Sequence, residues 1–108
     1  MPNTFKNYLT ANIGTSSTTV LTGATGALTT VIGMTVANTT TNTVTASVTL
    51  TSGATTVFLV RNATIPVGGA LVPVGGDQKV VVEASDVIQV QSSAATSVDV
   101  IVSVLEIS

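Results

Sequence analysis

The most regular stretch of the chain runs over residues 43–51. Val44, Ala46, Val48 and Leu50 alternate there with Thr43, Thr45, Ser47, Thr49 and Thr51. Successive side chains of a strand point to opposite faces, so a period of two sends the aliphatic set to a core and the hydroxyls to water. That is the pattern of an antiparallel strand with one buried face. Strand-like runs recur over residues 5–13, 18–22, 28–38, 55–62, 70–74, 78–83, 87–91 and 98–107. Within 28–38 the period predicts Leu28, Ile32, Met34 and Val36 on one face, with Thr29, Val31, Gly33 and Thr35 on the other. Turn signals separate the runs: Gly23, Ser52-Gly53, Ile65-Pro66-Val67-Gly68-Gly69, Gly75-Gly76-Asp77, Ala84-Ser85-Asp86 and residues 92–96. Pro73 lacks a ladder donor and suits an edge strand or a strand end.

Short strands separated by turns every 8–12 residues are the mark of a sandwich or closed barrel. The reading is therefore all-β, a single antiparallel β-sandwich of about eight strands. Jelly-roll and immunoglobulin-like orders are both compatible with it. Residues 1–8 are expected to form an N-terminal arm and residues 9–108 the sandwich domain. Thr nearly disappears after Thr64 and the charges gather there. Each half is too small to bury its own core, so this reads as one domain whose sheets face different surroundings.

Composition sharpens the picture. The chain has 108 residues, of which 21 are Thr and 19 Val, both strand formers because a branched Cβ suits a pleated surface. There is no Cys, His or Trp. No disulfide framework can form, and Ser–His–Asp and Cys–His catalysis lack their residues. Zinc-finger, haem, iron–sulfur and blue-copper sites lack their usual ligands. Three basic residues do not build a surface that tracks phosphates, which argues against nucleic acid as a partner. The uncharged stretch 7–60 contains no window of about 20 apolar residues, which argues against a membrane partner. The polar opening Met1-Pro2-Asn3-Thr4-Phe5-Lys6 does not resemble a secretory signal, so the chain reads as soluble and unprocessed. Asn38-Thr39-Thr40 and Asn62-Ala63-Thr64 fit the glycosylation pattern, as a Thr-rich chain does by chance.

The carboxylates are Asp77, Glu83, Asp86, Asp99 and Glu106. Asp77 and Asp86 fall at turns, where Asp bonds its own backbone. Convergence of Asp77, Asp86 and Asp99 at one end would be needed for calcium, and no EF-hand spacing is present. Arg61 is expected at the surface or beside Glu83 or Asp86. No cofactor, metal ligand or catalytic residue is expected, and the chain reads as a non-enzyme.

Two features point to contacts with other subunits. Charged residues make up 7% of the chain, against about 25% in an ordinary domain, and free monomers use charge to stay apart. The last run carries Val98, Val100, Val102 and Val104 on one face, and Asp99, Ile101, Ser103, Leu105 and Ile107 on the other. A strand apolar on both faces is central to a sandwich or covered by another subunit. Phe5 and Tyr8 are the large side chains of the expected arm. Phe5, Tyr8, Ile101, Leu105 and Ile107 are therefore the candidate interface residues.

Thr30-Val31-Ile32-Gly33-Met34-Thr35-Val36-Ala37-Asn38, the stretch 57–71, the stretch 75–92 and the closing run 98–106 together cover most of the chain. In them the chain resembles small virion structural proteins of tailed bacteriophages, including those of cyanobacterial and other marine hosts. The resemblance implies a non-enzymatic β-sandwich, present in many copies, that decorates or cements the capsid or forms a neck or tail accessory. It implies other virion proteins as partners (the major capsid protein or neck and tail subunits), a homo-oligomer, and a location in the virion after synthesis in the host cytoplasm. The rival expectation is a receptor- or carbohydrate-binding module of a fibre or baseplate, presenting the loops 23–27 or 92–96.

Overall fold

Strands form where the alternation places them. A computed structural model describes residues 3–75 and 79–107. Its strands are β1 (Asn3–Ile13), β2 (Thr18–Thr22), β3 (Leu28–Asn38), β4 (Val44–Ser52), β5 (Thr55–Ile65), β6 (Ala70–Val74), β7 (Val80–Val82), β8 (Val87–Ser92) and β9 (Val98–Ile107). They make two antiparallel sheets packed face to face. Sheet A has the order β1-β9-β3-β6, with β7 also pairing β3; sheet B has the order β2-β8-β4-β5.

The pairing is nested: β1 with β9, β2 with β8, β3 with β6 and β7, and β4 with β5. The chain behaves as one long hairpin, folded at β4–β5 and rolled so that its rungs alternate between sheets. This is the arrangement of a jelly roll. An immunoglobulin-like order would set several consecutive strands side by side. Both halves of the chain contribute to both sheets, so the change in composition near residue 64 does not separate one sheet from the other.

The core is aliphatic. From sheet A, Val31, Met34, Val36, Val98, Val100, Val102 and Val104 point inward; from sheet B, Val44, Ala46, Val48, Ile88 and Val90 do, all of them buried. Burying each such side chain is worth about 1.5–3 kcal/mol. β4 keeps the expected alternation without interruption. β3 does not. Val31 pairs with Val104 and Gly33 with Ser103, so Ile32 is an extra residue opposite β9. This bulge switches the inward set from Thr29 and Val31 to Met34, Val36 and Asn38. The single alternation expected across 28–38 is thus broken in the middle, because a one-residue insertion inverts a period of two.

Residues 3–8 do not form a separate arm. Asn3 pairs with Ile107 and the register continues without a break to Thr10 opposite Val100. β9 needs a ladder partner on this side, and β1 supplies it along the full strand. Met1 and Pro2 lie outside the described residues. The run expected over 78–83 is observed as the shorter β7, with Gln78 outside the described residues.

Asn38 closes one end of the roll. It is buried, and its Nδ2 donates to the carbonyls of Asn42, Ile65 and Pro66 at 2.8, 3.1 and 3.3 Å. Its Oδ1 accepts from the Thr40 backbone N–H and hydroxyl. The side chain that matched a glycosylation pattern is a clamp on two connections, β3–β4 and β5–β6. At the same end Ser97 bonds Ser92 through their hydroxyls and also reaches the carbonyl of Ala94.

Candidate assembly surface

The register of sheet A decides which side chains share its outer face. Directly paired residues point the same way. Phe5 pairs with Leu105, Leu105 with Thr30, and Thr30 with Val81, giving one row across four strands. Asn7, Ser103 and Gly33 form the next row, and Leu9, Ile101 and Thr35 the one after. Asp99, Ala37 and Ala70 follow. At the other end Asn3, Ile107 and Leu28 make the last row. Phe5 is 73% exposed, Leu9 69% and Ile101 49%. Leu28 and Val81 are also exposed, while Leu105 and Ile107 are half-buried. The outer face of sheet A therefore exposes two rows with large apolar side chains, on either side of the row Asn7–Ser103–Gly33.

Its relief alternates between large and small residues. Beside the Phe5 row, Asn7, Ser103 and the Ile32 of the β3 bulge line a depression of about 260 Å³. A second, of about 350 Å³, lies beside Leu9 and Ile101 and is floored by Thr10, Ala11 and Val100. Asp99 borders it. Its carboxylate accepts the Asn12 backbone N–H at 2.9 Å, in a bulge where Asn12 takes φ +61°.

Four of the five candidate residues, Phe5, Ile101, Leu105 and Ile107, lie on this face. Tyr8 lies on the other side of β1, because its register partner is the inward Val102. Its hydroxyl donates to Glu106 Oε2 at 2.7 Å, and Lys6 Nζ reaches Glu106 Oε1 at 3.1 Å. The hydrogen bond from Tyr8, then that from Lys6, holds the Glu106 carboxyl below the usual carboxylate range. The bonds to Glu106 push Lys6 and Tyr8 upward. Sequence reasoning took Tyr8 as a contact residue. Its odd–even position relative to Phe5 was the available sign that it faces the other way. Leu9, two residues after Asn7 on the outer face, was missed, and the same parity marks it.

Other sequence expectations fall apart in space. Asp86 lies beside Gly23 at the end where β3 begins, and its carboxylate accepts the Glu83 N–H at 3.0 Å, as a turn aspartate does. Asp99 lies near the start of β9, at the opposite end, so the two do not converge; Asp77 lies outside the described residues. Among the described residues no three acidic side chains gather as a metal site. Arg61 stacks over Phe58, 5.3 Å from the ring centroid, on the outer side of sheet B.

No family model matches the chain, and no curated protein or solved structure does either. The resemblance to phage virion proteins gains no support from these comparisons. The apolar face is thus the feature on which a function can be argued.

Proposed function

We propose that the chain is a non-enzymatic structural subunit of a tailed-phage particle. In this reading it is made in the host cytoplasm and built into the virion in many copies. There it decorates or cements the capsid, or serves as a neck or tail accessory, held by contacts with other virion proteins. One observation carries the assembly reading: the outer face of sheet A exposes Phe5, Leu9, Leu28, Val81 and Ile101 together. Large apolar side chains exposed together on one sheet face mark interaction surfaces. The low charge of the chain and its lack of His and Cys fit a subunit that acts by being covered. The assignment to a phage particle rests on the sequence resemblance.

The rival receptor- or carbohydrate-binding module would present one loop end. The loop 23–27 bonds the turn before β8, while the loop 92–96 bonds Gly14 and Thr45 at the opposite end. The two loops therefore do not build a common site.

Quantitative mass spectrometry of gradient-purified particles, made by the genome that encodes this chain, tests the proposal. The expected result is a fixed ratio to the major capsid protein, well above one copy per particle. Absence of the chain from the particles overturns it. A few copies confined to the tail tip would favour the receptor module.

A further inference from the structure

We infer that the outer face of sheet A is the contact between two copies of this chain, joined about a two-fold axis that crosses β9 near Val102. The inference deepens the multi-copy reading above by naming a partner for the face, and it rests on that reading.

Size is the first argument. Four strands spaced about 4.8 Å apart and ten residues rising about 3.3 Å each give a flat footprint of roughly 600 Å². A corrugated face bearing Phe, Leu and Ile has more accessible area than its footprint. A stable interface takes about 800 Å² from each partner. One sheet face is therefore close in size to what a contact between two copies takes.

Relief is the second argument, and it selects a second copy over an unrelated partner. Consider an axis lying in the contact plane, along the rows, and crossing between Ile101 and Ser103. It reverses the strand direction and lays each strand over its own copy. The Leu9–Ile101 ridge of one protomer then meets the lower Asn7–Ser103–Gly33 row of its partner, beside the depression at Asn7 and Ser103, and the reverse contact is identical. The same operation carries the Phe5–Leu105 ridge to the depression beside Ala11 and Asp99. A single axis sets both ridges beside both depressions, which is the self-complementarity that an isologous contact requires.

Charge is the third argument. Asp99 is the charged side chain that the face carries among its described rows, and its carboxylate is already bonded to the Asn12 N–H. The axis places the two Asp99 residues at opposite ends of the contact, so like charges do not meet.

Sedimentation equilibrium across a concentration range tests the inference, with circular dichroism to show that each variant is folded. The wild-type chain is expected to be dimeric at micromolar concentration. Ile101→Lys puts a charge into each half of the contact and should raise the dissociation constant about a hundredfold. Ser103→Leu fills the depression while making the face more apolar, and should raise it about tenfold. Thr49→Lys, on the outer face of sheet B, should leave it unchanged. A wild-type chain that is monomeric to millimolar concentration overturns the inference. So does a closed trimer or larger ring, tighter association in Ser103→Leu, or equal loss in Thr49→Lys. A chain found in particles but monomeric in solution defeats this contact and leaves the proposed function standing. A dimer that is absent from particles does the reverse.

Discussion

The outer faces of the two sheets share an architecture and differ in chemistry. On sheet B, Thr19, Gln89, Thr49 and Phe58 form one row, with Ser47 and Gln91 beside it. Thr19 accepts a hydrogen bond from Gln89 at 3.1 Å, and the hydroxyls of Thr51 and Thr56 bond at 2.9 Å. The one large apolar group in that row, Phe58, lies under Arg61. On sheet A the equivalent positions hold Phe5, Leu9 and Ile101 in the open, with Leu105 and Ile107 half-buried. The inner faces of both sheets are the same Val-rich surface. Packing the inner faces specifies the roll, and the outward positions are then free to answer to their surroundings. Thr and Ile are both good strand formers, so propensity does not explain the difference. The outer face of sheet B offers hydroxyls and amides to its surroundings, and that of sheet A offers Phe5, Leu9 and Ile101.

The comparison is sharpest at neighbouring residues of one strand. Val102→Asp buries an unpaired carboxylate at a fully buried position. The cost of several kcal/mol is comparable with the whole stability of a small domain, about 5–15 kcal/mol. Val102→Asp and its sheet B counterpart Val48→Asp are expected to unfold the chain, read by circular dichroism. Ser103→Asp and Thr49→Asp, one residue along, should leave the chain folded. If an outward variant unfolds the chain, the outer faces are not independent of the fold, and the comparison fails.

This parity was the most legible part of the sequence. In β4 and β9 an uninterrupted period of two separates inward from outward residues, and every inward valine of β9 is buried. In β3 the same reasoning misplaced Thr29 and Val31, because Ile32 is an inserted residue and nothing local distinguishes a bulge from a continuous run. The nested strand order was not legible, since pairing between β1 and β9 depends on contacts at opposite ends of the chain. Residues 5–13 read as a strand, but the ladder that ties residues 3–8 to β9 was not legible, for the same reason. Of the candidate surface, Ile101, Leu105 and Ile107 were visible because a strand apolar on both faces is unusual. Joining them to Phe5 and Leu9 required the register.

Two glycines sharpen the comparison at smaller cost. Gly23 is held on both sides, its N–H donating to the Asp86 carbonyl at 2.8 Å and its own carbonyl accepting from Ser85 at 3.0 Å. A Cβ there would collide with the Glu83 carbonyl, which is backbone and held by the turn. Gly23→Ala is expected to cost about 2–3 kcal/mol in urea denaturation. Gly33, in the lower row of the sheet A face, has nothing within 4 Å of where its Cβ would stand. Gly33→Ala should stabilise the fold by about 0.5–1 kcal/mol, because Gly inside a strand loses more backbone freedom on folding. Equal effects at the two sites would contradict the open face.

The smallest effect concerns the edge where the two faces of sheet A meet water differently. Outside lies Phe5; one residue along, Lys6 and then Tyr8 turn to the other side and bind Glu106. The folded chain lowers the Glu106 carboxyl pKa, so its contribution to stability is complete above the ordinary carboxyl value and disappears as pH falls through the folded value. Lys6 and Tyr8 are raised, so theirs is complete below their ordinary values, 10.5 and 10.0, and disappears in more alkaline solution. The cluster thus acts fully across the neutral range. Exposed ion pairs contribute little, and the bond from the partly buried Tyr8 hydroxyl dominates. Glu106→Gln is expected to cost no more than about 1 kcal/mol at pH 7. The gap between wild type and Glu106→Gln should close as acid protonates Glu106. Urea midpoints at pH 7, 4 and 3 measure it. A gap that persists at the lowest pH would mean that Glu106 acts through packing and not through its charge.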